Sequence, residues 1–218
     1  MERTYKVLLV DDHPIVRQGL AELINREIDM TVCGQAESGA AALALAESAQ
    51  PDLALVDISL DDINGLVLVK GLKSRQRNLR VLILSMHDEA LYAERALRAG
   101  AHGYIMKREA PTKVIAGIRR VLAGDVYLSE DISGRIMRKF ADGAGGIDEP
   151  PVARLSDREL EVYNHIGQGL KTGQIASKLN LSVKTIETYR EHIKEKLGLI
   201  DATELVQSAI KWVHAEGN

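Results

Sequence analysis

Polar residues with phosphoryl chemistry stand at the ends of short apolar runs. Asp11 and Asp12 follow residues 6–10, Asp57 follows 53–56, Ser85 ends 81–85 and Lys107 follows 103–106. Carboxylates brought together repel one another unless a hard cation neutralises them, and an all-oxygen donor set with open positions suits Mg2+. An aspartate beside such a cation can attack a phosphoryl group to give an aspartyl phosphate, with the cation and a lysine offsetting charge on the transferring group. Asp57 is the candidate nucleophile of this set, and Asp11 and Asp12 are its candidate metal-binding companions.

Those residues need a scaffold that delivers several strand ends to one edge. Runs 6–10, 31–36, 53–56, 81–85 and 103–106 are short and aliphatic or β-branched, as buried parallel strands are. Segments of helical period separate them. Pro14 suits a first helical turn before Ile15, Val16, Leu20, Leu23 and Ile24. Ser38 caps an alanine-rich helix reaching Ala49, residues 66–72 lie in a third helix, Asp88 opens a fourth that Gly100 ends, and Pro111 opens a fifth. The expected fold is α/β, a five-stranded doubly wound parallel sheet, in which ligands bind outside the carboxyl ends of the strands.

The pattern changes after Val126-Tyr127-Leu128. Residues 131–140 read as a lone helix, and 142–151, with Gly143, Gly145, Gly146 and then Pro150-Pro151, carry the breakers of a flexible linker long enough to let two domains separate. From Leu155 onward the chain reads as four helices, about 157–168, 172–179, 183–197 and 202–214. We therefore expect one domain over 1–128, a linker with a short helix over 129–152, and a small all-α domain over 153–218.

Composition narrows the function classes. The 218 residues suit two modest domains. The single Cys33 excludes an internal disulfide and a cysteine-based zinc site, agrees with a reducing compartment, and is expected as buried filler. One Trp and one Phe make aromatic stacking on bases a poor main binding mode. No apolar run approaches the roughly 20 residues of a membrane span, and the N-terminus lacks a signal-peptide pattern, so a cytoplasmic protein without membrane contact is expected. The formal net charge of −3 divides into −1 over 1–128, −2 over 129–151 and 0 over 152–218, so no piece is strongly basic as a whole.

Taken in order, Asp11-Asp12, Asp57, Ser85 and Lys107 resemble the receiver domains of two-component response regulators, over residues 5–123. The resemblance implies a flavodoxin-like receiver that takes a phosphoryl group from a sensor histidine kinase on Asp57. It implies Mg2+ held by Asp12 and Asp57, with Asp11 supporting the shell and the main-chain carbonyl of Ser59 a further ligand. It also implies that Ser85 reorients toward the phosphoryl group, that Lys107 pairs with it, and that Tyr104 changes rotamer.

Two departures stand out. Many receivers have Asp-x-x-Met-Pro-x-x-Asn-Gly, whereas this chain has Asp57-Ile-Ser-Leu-Asp61-Asp62-Ile-Asn64-Gly65, with an acid in place of the proline. The charges of Asp61 and Asp62 are expected either to strengthen metal attraction or to disfavour the incoming phosphoryl group. Lys107 is followed by Arg108 rather than proline. His13 and His87, beside the acids, are expected as solvated loop histidines rather than metal ligands.

In the helical region, Gln174 to Arg190 reads as helix, tight turn, helix, with Ile175, Ala176 and Leu179 on an apolar face, Leu181 in the turn and Ser182 as cap. Ile186, Ile193 and Leu197 share a stripe that leaves Lys184, Thr185, Glu187, Thr188, Arg190, Glu191 and Lys194 on the other faces, able to meet a major groove. The segment from Leu155-Ser-Asp-Arg-Glu-Leu-Glu-Val162 through Ser182-Val-Lys-Thr-Ile-Glu-Thr-Tyr-Arg190 to Lys196-Leu197 resembles the LuxR-type DNA-binding domain, over about 153–214. With the receiver, the chain is similar to the NarL/FixJ group of response regulators.

That resemblance implies contacts to double-stranded DNA from Lys184, Thr185, Glu187, Thr188, Arg190 and Lys194, a homodimer when phosphorylated, and RNA polymerase as a candidate partner. Residues 171–196 carry six Lys+Arg and three Glu, so one copy releases few counterions and tight binding is expected to need two. Residues 203–214 carry more apolar surface than one helix side needs, and Trp212 reads equally as core or as part of a dimer contact. The expected protein is a regulator, not an enzyme. A rival hydrolase using Asp57 as a transient nucleophile would need a general acid/base and a capped pocket, neither of which the sequence advertises. A second rival, a phosphorylation-independent regulator, must explain why every phosphorylation residue is present.

Overall fold

The computed structural model describes residues 3–141 and 150–216. The chain divides into two compact units, Met1–Ala141 and Asp142–Asn218. Most of the glycine-rich stretch read as a linker, 142–149, lies outside the described residues.

The first unit holds β1 (Tyr5–Val10), α1 (Pro14–Asn25), β2 (Met30–Ala36), α2 (Gly39–Ala49), β3 (Leu53–Asp57), α3 (Gly65–Arg75), β4 (Arg80–Ser85), α4 (Glu89–Ala99), β5 (Gly103–Met106), α5 (Ala110–Ala123) and α6 (Glu130–Ala141). The five strands pair in parallel in the order β2-β1-β3-β4-β5. Successive strand residues point to opposite faces. Val7, Leu9, Leu53, Leu55, Leu82, Leu84 and Ile105 join Leu20 and Ile24 of α1 and Val114, Ile118 and Val121 of α5 in one buried cluster. Leu8, Val10, Ala54, Val56, Ile83 and Tyr104, of the opposite parity, are buried as well, and α2, α3 and α4 complete the three-layer sandwich. Each of these large side chains contributes roughly 1.5–3 kcal/mol by leaving water.

Local signals set the ends. Ser38, Asn64 and Asp88 accept from Ala41 N, Leu66 N and Ala90 N, capping α2, α3 and α4. Gly100 and Gly124 close α4 and α5 in the left-handed conformation that a side chain would oppose. Cys33 is half-buried on β2, and burial pushes its thiol up. After α5 the chain returns to the sheet edge, where Tyr127 bridges Gly103 in parallel and accepts from Tyr104 N at 2.9 Å. Ser129 N then donates 2.9 Å to the buried Glu89 carboxylate, seating the start of α6 at the start of α4.

The second unit holds α7 (Asp157–Gly167), α8 (Thr172–Lys178), α9 (Val183–Leu197) and α10 (Ala202–Glu216). Val162, Tyr163, Ile166, Ile175, Ile186, Ile193, Leu205 and Ala209 form its core. A side chain on Gly167 would meet the carbonyl oxygen of Ala209 at 2.4 Å, so only glycine allows α7 and α10 this approach. Trp212 lies 5.5 Å from the Tyr163 ring, packing α10 onto α7. Among the described residues no helix is long and apolar enough to cross a membrane.

Candidate functional site

The strand order reverses direction between β1 and β3, and in such sheets the crevice at the reversal is the ligand site. β1 delivers Asp11 and Asp12 there, and β3 delivers Asp57. Asp11, Asp12, His13 and Asp57 each offer a ligand atom within 4.8 Å of the others. Asp11 and Asp57 are buried, as is Ser85 at the end of β4. Lys107, in a 3-10 turn after β5, puts Nζ 2.7 Å from Asp57 Oδ2 and 2.7 Å from Asp11 Oδ2.

The electrostatics follow from this packing. Burial pushes the Asp57 carboxyl above the ordinary range and the Asp11 carboxylate adds to that, while Lys107 and the Ser59 N–H pull it back in part. Burial alone would lower the Lys107 ammonium, yet the two carboxylates outweigh it and raise it. Asp11 Oδ1 accepts from His13 N at 2.8 Å, and Asp57 Oδ1 accepts from Ser59 N at 3.2 Å. Asp11 Oδ2 and Asp12 Oδ1 are buried with ion-pair neighbours, Lys107 Nζ and His13 Nδ1, but have no hydrogen bond of good geometry. Three carboxylates clustered around a single lysine leave negative charge in excess, so the all-oxygen donor set fits a hard divalent ion.

The residues around the acids are tied to one another. Ser85 Oγ accepts from His87 N at 3.1 Å. Tyr104 is buried and its hydroxyl donates 2.8 Å to the His87 carbonyl oxygen. His87 is not the solvated loop histidine expected: its ring stacks on Tyr92 with centroids 4.6 Å apart, and Nε2 pairs with Ser59 Oγ at 2.9 Å. His13 is 65% exposed but leans on Asp12 at 2.6 Å. The extra acids after Asp57 also divide. Asp62 hydrogen-bonds to the start of α2, while Asp61 is exposed. Neither the His87 stack nor the Asp62 contact carries a periodic signal in the sequence.

In the second unit, Ser156 and Glu159 form a reciprocal capping box at the start of α7, a Ser-x-x-Glu pattern visible in the sequence. Glu159 is buried and also takes Lys196 Nζ of α9 at 2.6 Å. Burial works against its ionised form, but Lys196 and Ser156 outweigh that and hold it below the ordinary carboxylate range. The α8–α9 turn passes through Asn180 in the left-handed conformation, and Ser182 caps α9 by accepting from Thr185 N. Ile186 and Ile193 are fully buried, so α9 turns Lys184, Glu187 and Thr188 outward. Thr185 Oγ1 pairs with Ser182 Oγ at 2.8 Å, and Thr188 Oγ1 donates to Lys184 O. Arg190 is half-exposed, whereas the Lys194 side chain is only 18% exposed and pairs with Glu191 at 2.8 Å.

Residues 7–119 match the response regulator receiver domain family, and residues 153–209 match the luxR family of bacterial regulatory proteins. The chain is 34% identical over 210 residues to the oxygen regulatory protein NreC of Staphylococcus carnosus (strain TM300), covering 94% of this chain and 97% of that protein. It is 36% identical over 201 residues to the transcriptional regulatory protein UhpA of Escherichia coli (strain K12), covering 92% and 95%. Among solved structures it is similar to RcsB from Salmonella enterica serovar Typhimurium, solved bound to promoter rprA in the presence of phosphomimetic BeF3−. That likeness has a TM-score of 0.69 and 25% identity, and covers 94% of this chain and 98% of that one.

Proposed function

The chain belongs to the NarL/FixJ group of two-component response regulators, and from that premise we propose that Asp57 accepts a phosphoryl group from a sensor histidine kinase and thereby controls promoter binding through α9. Members of this family are transcriptional regulators and not enzymes. The observation that carries the assignment is the buried Asp57 carboxylate, 2.7 Å from Lys107 Nζ and clustered with Asp11 and Asp12, whose ligand atoms lie within 4.8 Å of its own.

Asp11, Asp12, Asp57 and the Ser59 carbonyl would hold Mg2+, which when bound supplies charge neutralisation between the carboxylates and the phosphoryl oxygens. An Asp57 oxygen attacks phosphorus and forms the new O–P bond while the P–N bond to the kinase histidine breaks, and the imidazole leaves with the bonding pair and takes a proton. Lys107, released from Asp57 as that carboxylate loses charge, pairs with a phosphoryl oxygen. Ser85 donates to another, and Tyr104 answers the movement of the segment that follows Ser85, whose His87 carbonyl it now holds. The result biases a two-state equilibrium.

The DNA reading assigns base and phosphate contacts to Lys184, Thr185, Glu187, Thr188, Arg190 and Lys194, with Glu187 suited to accept from cytosine N4. Of the six cations in 171–196, Lys196 is committed to Glu159 and Lys194 to Glu191. One copy therefore neutralises few phosphates, which favours a homodimer on an inverted repeat. The RcsB complex with promoter DNA supports DNA binding by the second unit. We assign 1–128 to the receiver, 129–152 to the linker and 153–218 to the DNA-binding domain, with action in the cytoplasm and RNA polymerase as a further partner. Labelling with a small phosphodonor tests the chemistry. The label should be released by hydroxylamine, as an acyl phosphate is, and be absent from Asp57→Asn; label that survives hydroxylamine or persists in the variant contradicts it.

A further inference from the structure

We propose that Asp62 is a positioning residue for phosphoryl acceptance, anchoring the β3–α3 segment to the start of α2 so that Ser59 is held beside Asp57. The inference rests on the reading of Asp57 as acceptor. Asp62 Oδ1 accepts from Gly39 N at 3.0 Å and Oδ2 from Ala40 N at 3.3 Å. Both donors belong to the first turn of α2, where backbone N–H groups lack partners within the helix and the helix dipole favours a negative charge. The neighbouring Ile63 seals the contact. Its Cγ2 lies 2.3 Å from where a side chain on residue 39 would begin, so the approach exists only because that residue is glycine.

The anchored segment is the one that serves the site. Ser59 N donates to Asp57 Oδ1, Ser59 bridges Asn64, and Gly65 N donates to Ile58 O at 2.8 Å. These contacts close residues 58–65 into a loop whose outer point, Asp62, is tied to a different helix. Where the receiver pattern has a proline that stiffens this loop from within, the chain has Asp61, and the Asp62 anchor supplies the constraint from outside. The Asp62 carboxylate is thereby engaged by the α2 N–H groups, where the helix dipole favours its charge.

The test compares the full-length protein with Asp62→Ala, Asp62→Asn and Gly39→Ala. The first removes the anchor, the second keeps one acceptor, and the third displaces Ile63 from the opposite side of the contact. Hydrogen–deuterium exchange over 58–64, without metal or phosphodonor, should be faster in Asp62→Ala by roughly fivefold, the effect of losing one helix cap. The Mg2+ concentration giving half-maximal phosphorylation by acetyl phosphate should rise by a similar factor, with Asp62→Asn intermediate and Gly39→Ala resembling Asp62→Ala. If Gly39→Ala does not fold, the two Asp62 variants decide alone. A lower melting temperature with unchanged loop exchange and an unchanged Mg2+ requirement makes Asp62 merely structural and overturns the proposal, leaving the Asp57 assignment intact. No phosphoryl gain by the unsubstituted protein overturns the Asp57 assignment, and this inference with it.

Discussion

The Lys107 ammonium stands 2.7 Å from Asp57 Oδ2, in an enclosure where burial pushes the Asp57 carboxyl up and Lys107 opposes it. The lysine therefore favours the ionised form of the nucleophile as well as being poised for the phosphoryl oxygens. In Lys107→Met the Asp57 carboxyl rises further, so its anionic fraction at a given pH falls. The acidic limb of the phosphorylation rate against pH should move to higher pH, and the rate at neutral pH should drop by roughly 100-fold, as when one preorganised charge partner is removed. A rate profile with an unmoved acidic limb would contradict the assignment.

Mg2+ should stabilise the first unit by mass action. At ten times its Kd the ion adds about 1.4 kcal/mol, a shift of a few degrees for a domain of this size. Calorimetry should show the first unit's transition rising with Mg2+ in the unsubstituted protein and much less in Asp12→Asn, with the second unit's transition unmoved. Equal shifts in both proteins would place the ion elsewhere.

Most of the fold is legible in the sequence because each buried strand is a short aliphatic run bounded by polar residues. The structure lengthens the strand read as 6–10 by Tyr5, that at 31–36 by Met30, that at 53–56 by Asp57 and that at 81–85 by Arg80, while 103–106 is unchanged. Asp11, Asp57, Ser85 and Lys107 are readable for the same reason, since residues just past parallel strand ends meet at one edge. The contacts that tie the site together are not readable. Asp62 to α2, His87 on Tyr92 and Glu89 to Ser129 join segments whose proximity only the folded chain creates. The Lys196 pair with Glu159 is of the same kind, although half of it, the capping box at Ser156, is written in the local sequence.

That pair sets a pH response in the DNA-binding unit. Glu159 is held below the ordinary carboxylate range, so its contribution to stability is present above the unfolded value near 4.5 and is lost as pH falls through the lower folded value. Trp212 is the only tryptophan, and it packs on Tyr163, so its fluorescence follows this unit selectively. Glu159→Gln should lower the neutral-pH stability reported by Trp212 by about 1–2 kcal/mol, as loss of a charge-assisted hydrogen bond does. The gap between the two proteins should close as the solution is acidified below pH 4.5. A gap independent of pH would mean that the charge plays no part.

On α9, exposure ranks the cations. Lys184 is exposed, whereas Lys194 is shielded and paired with Glu191. Lys184→Ala should weaken DNA binding and reduce the slope of log affinity against log salt by roughly 0.9 per site. Lys194→Ala should change that slope less. Titrations at several salt concentrations on a selected duplex decide the order, and a larger slope change for Lys194 would reverse the assignment.

The most direct test joins phosphorylation to DNA binding in one sample. The protein, incubated with Mg2+ and acetyl phosphate beside Asp57→Ala, is split between intact-mass measurement and titration onto a duplex selected from random sequence. One phosphoryl group should be added per chain and none in the variant, with tighter sequence-dependent binding only where the group is present. No mass gain, a gain that persists in Asp57→Ala, or binding indifferent to the modification would contradict it.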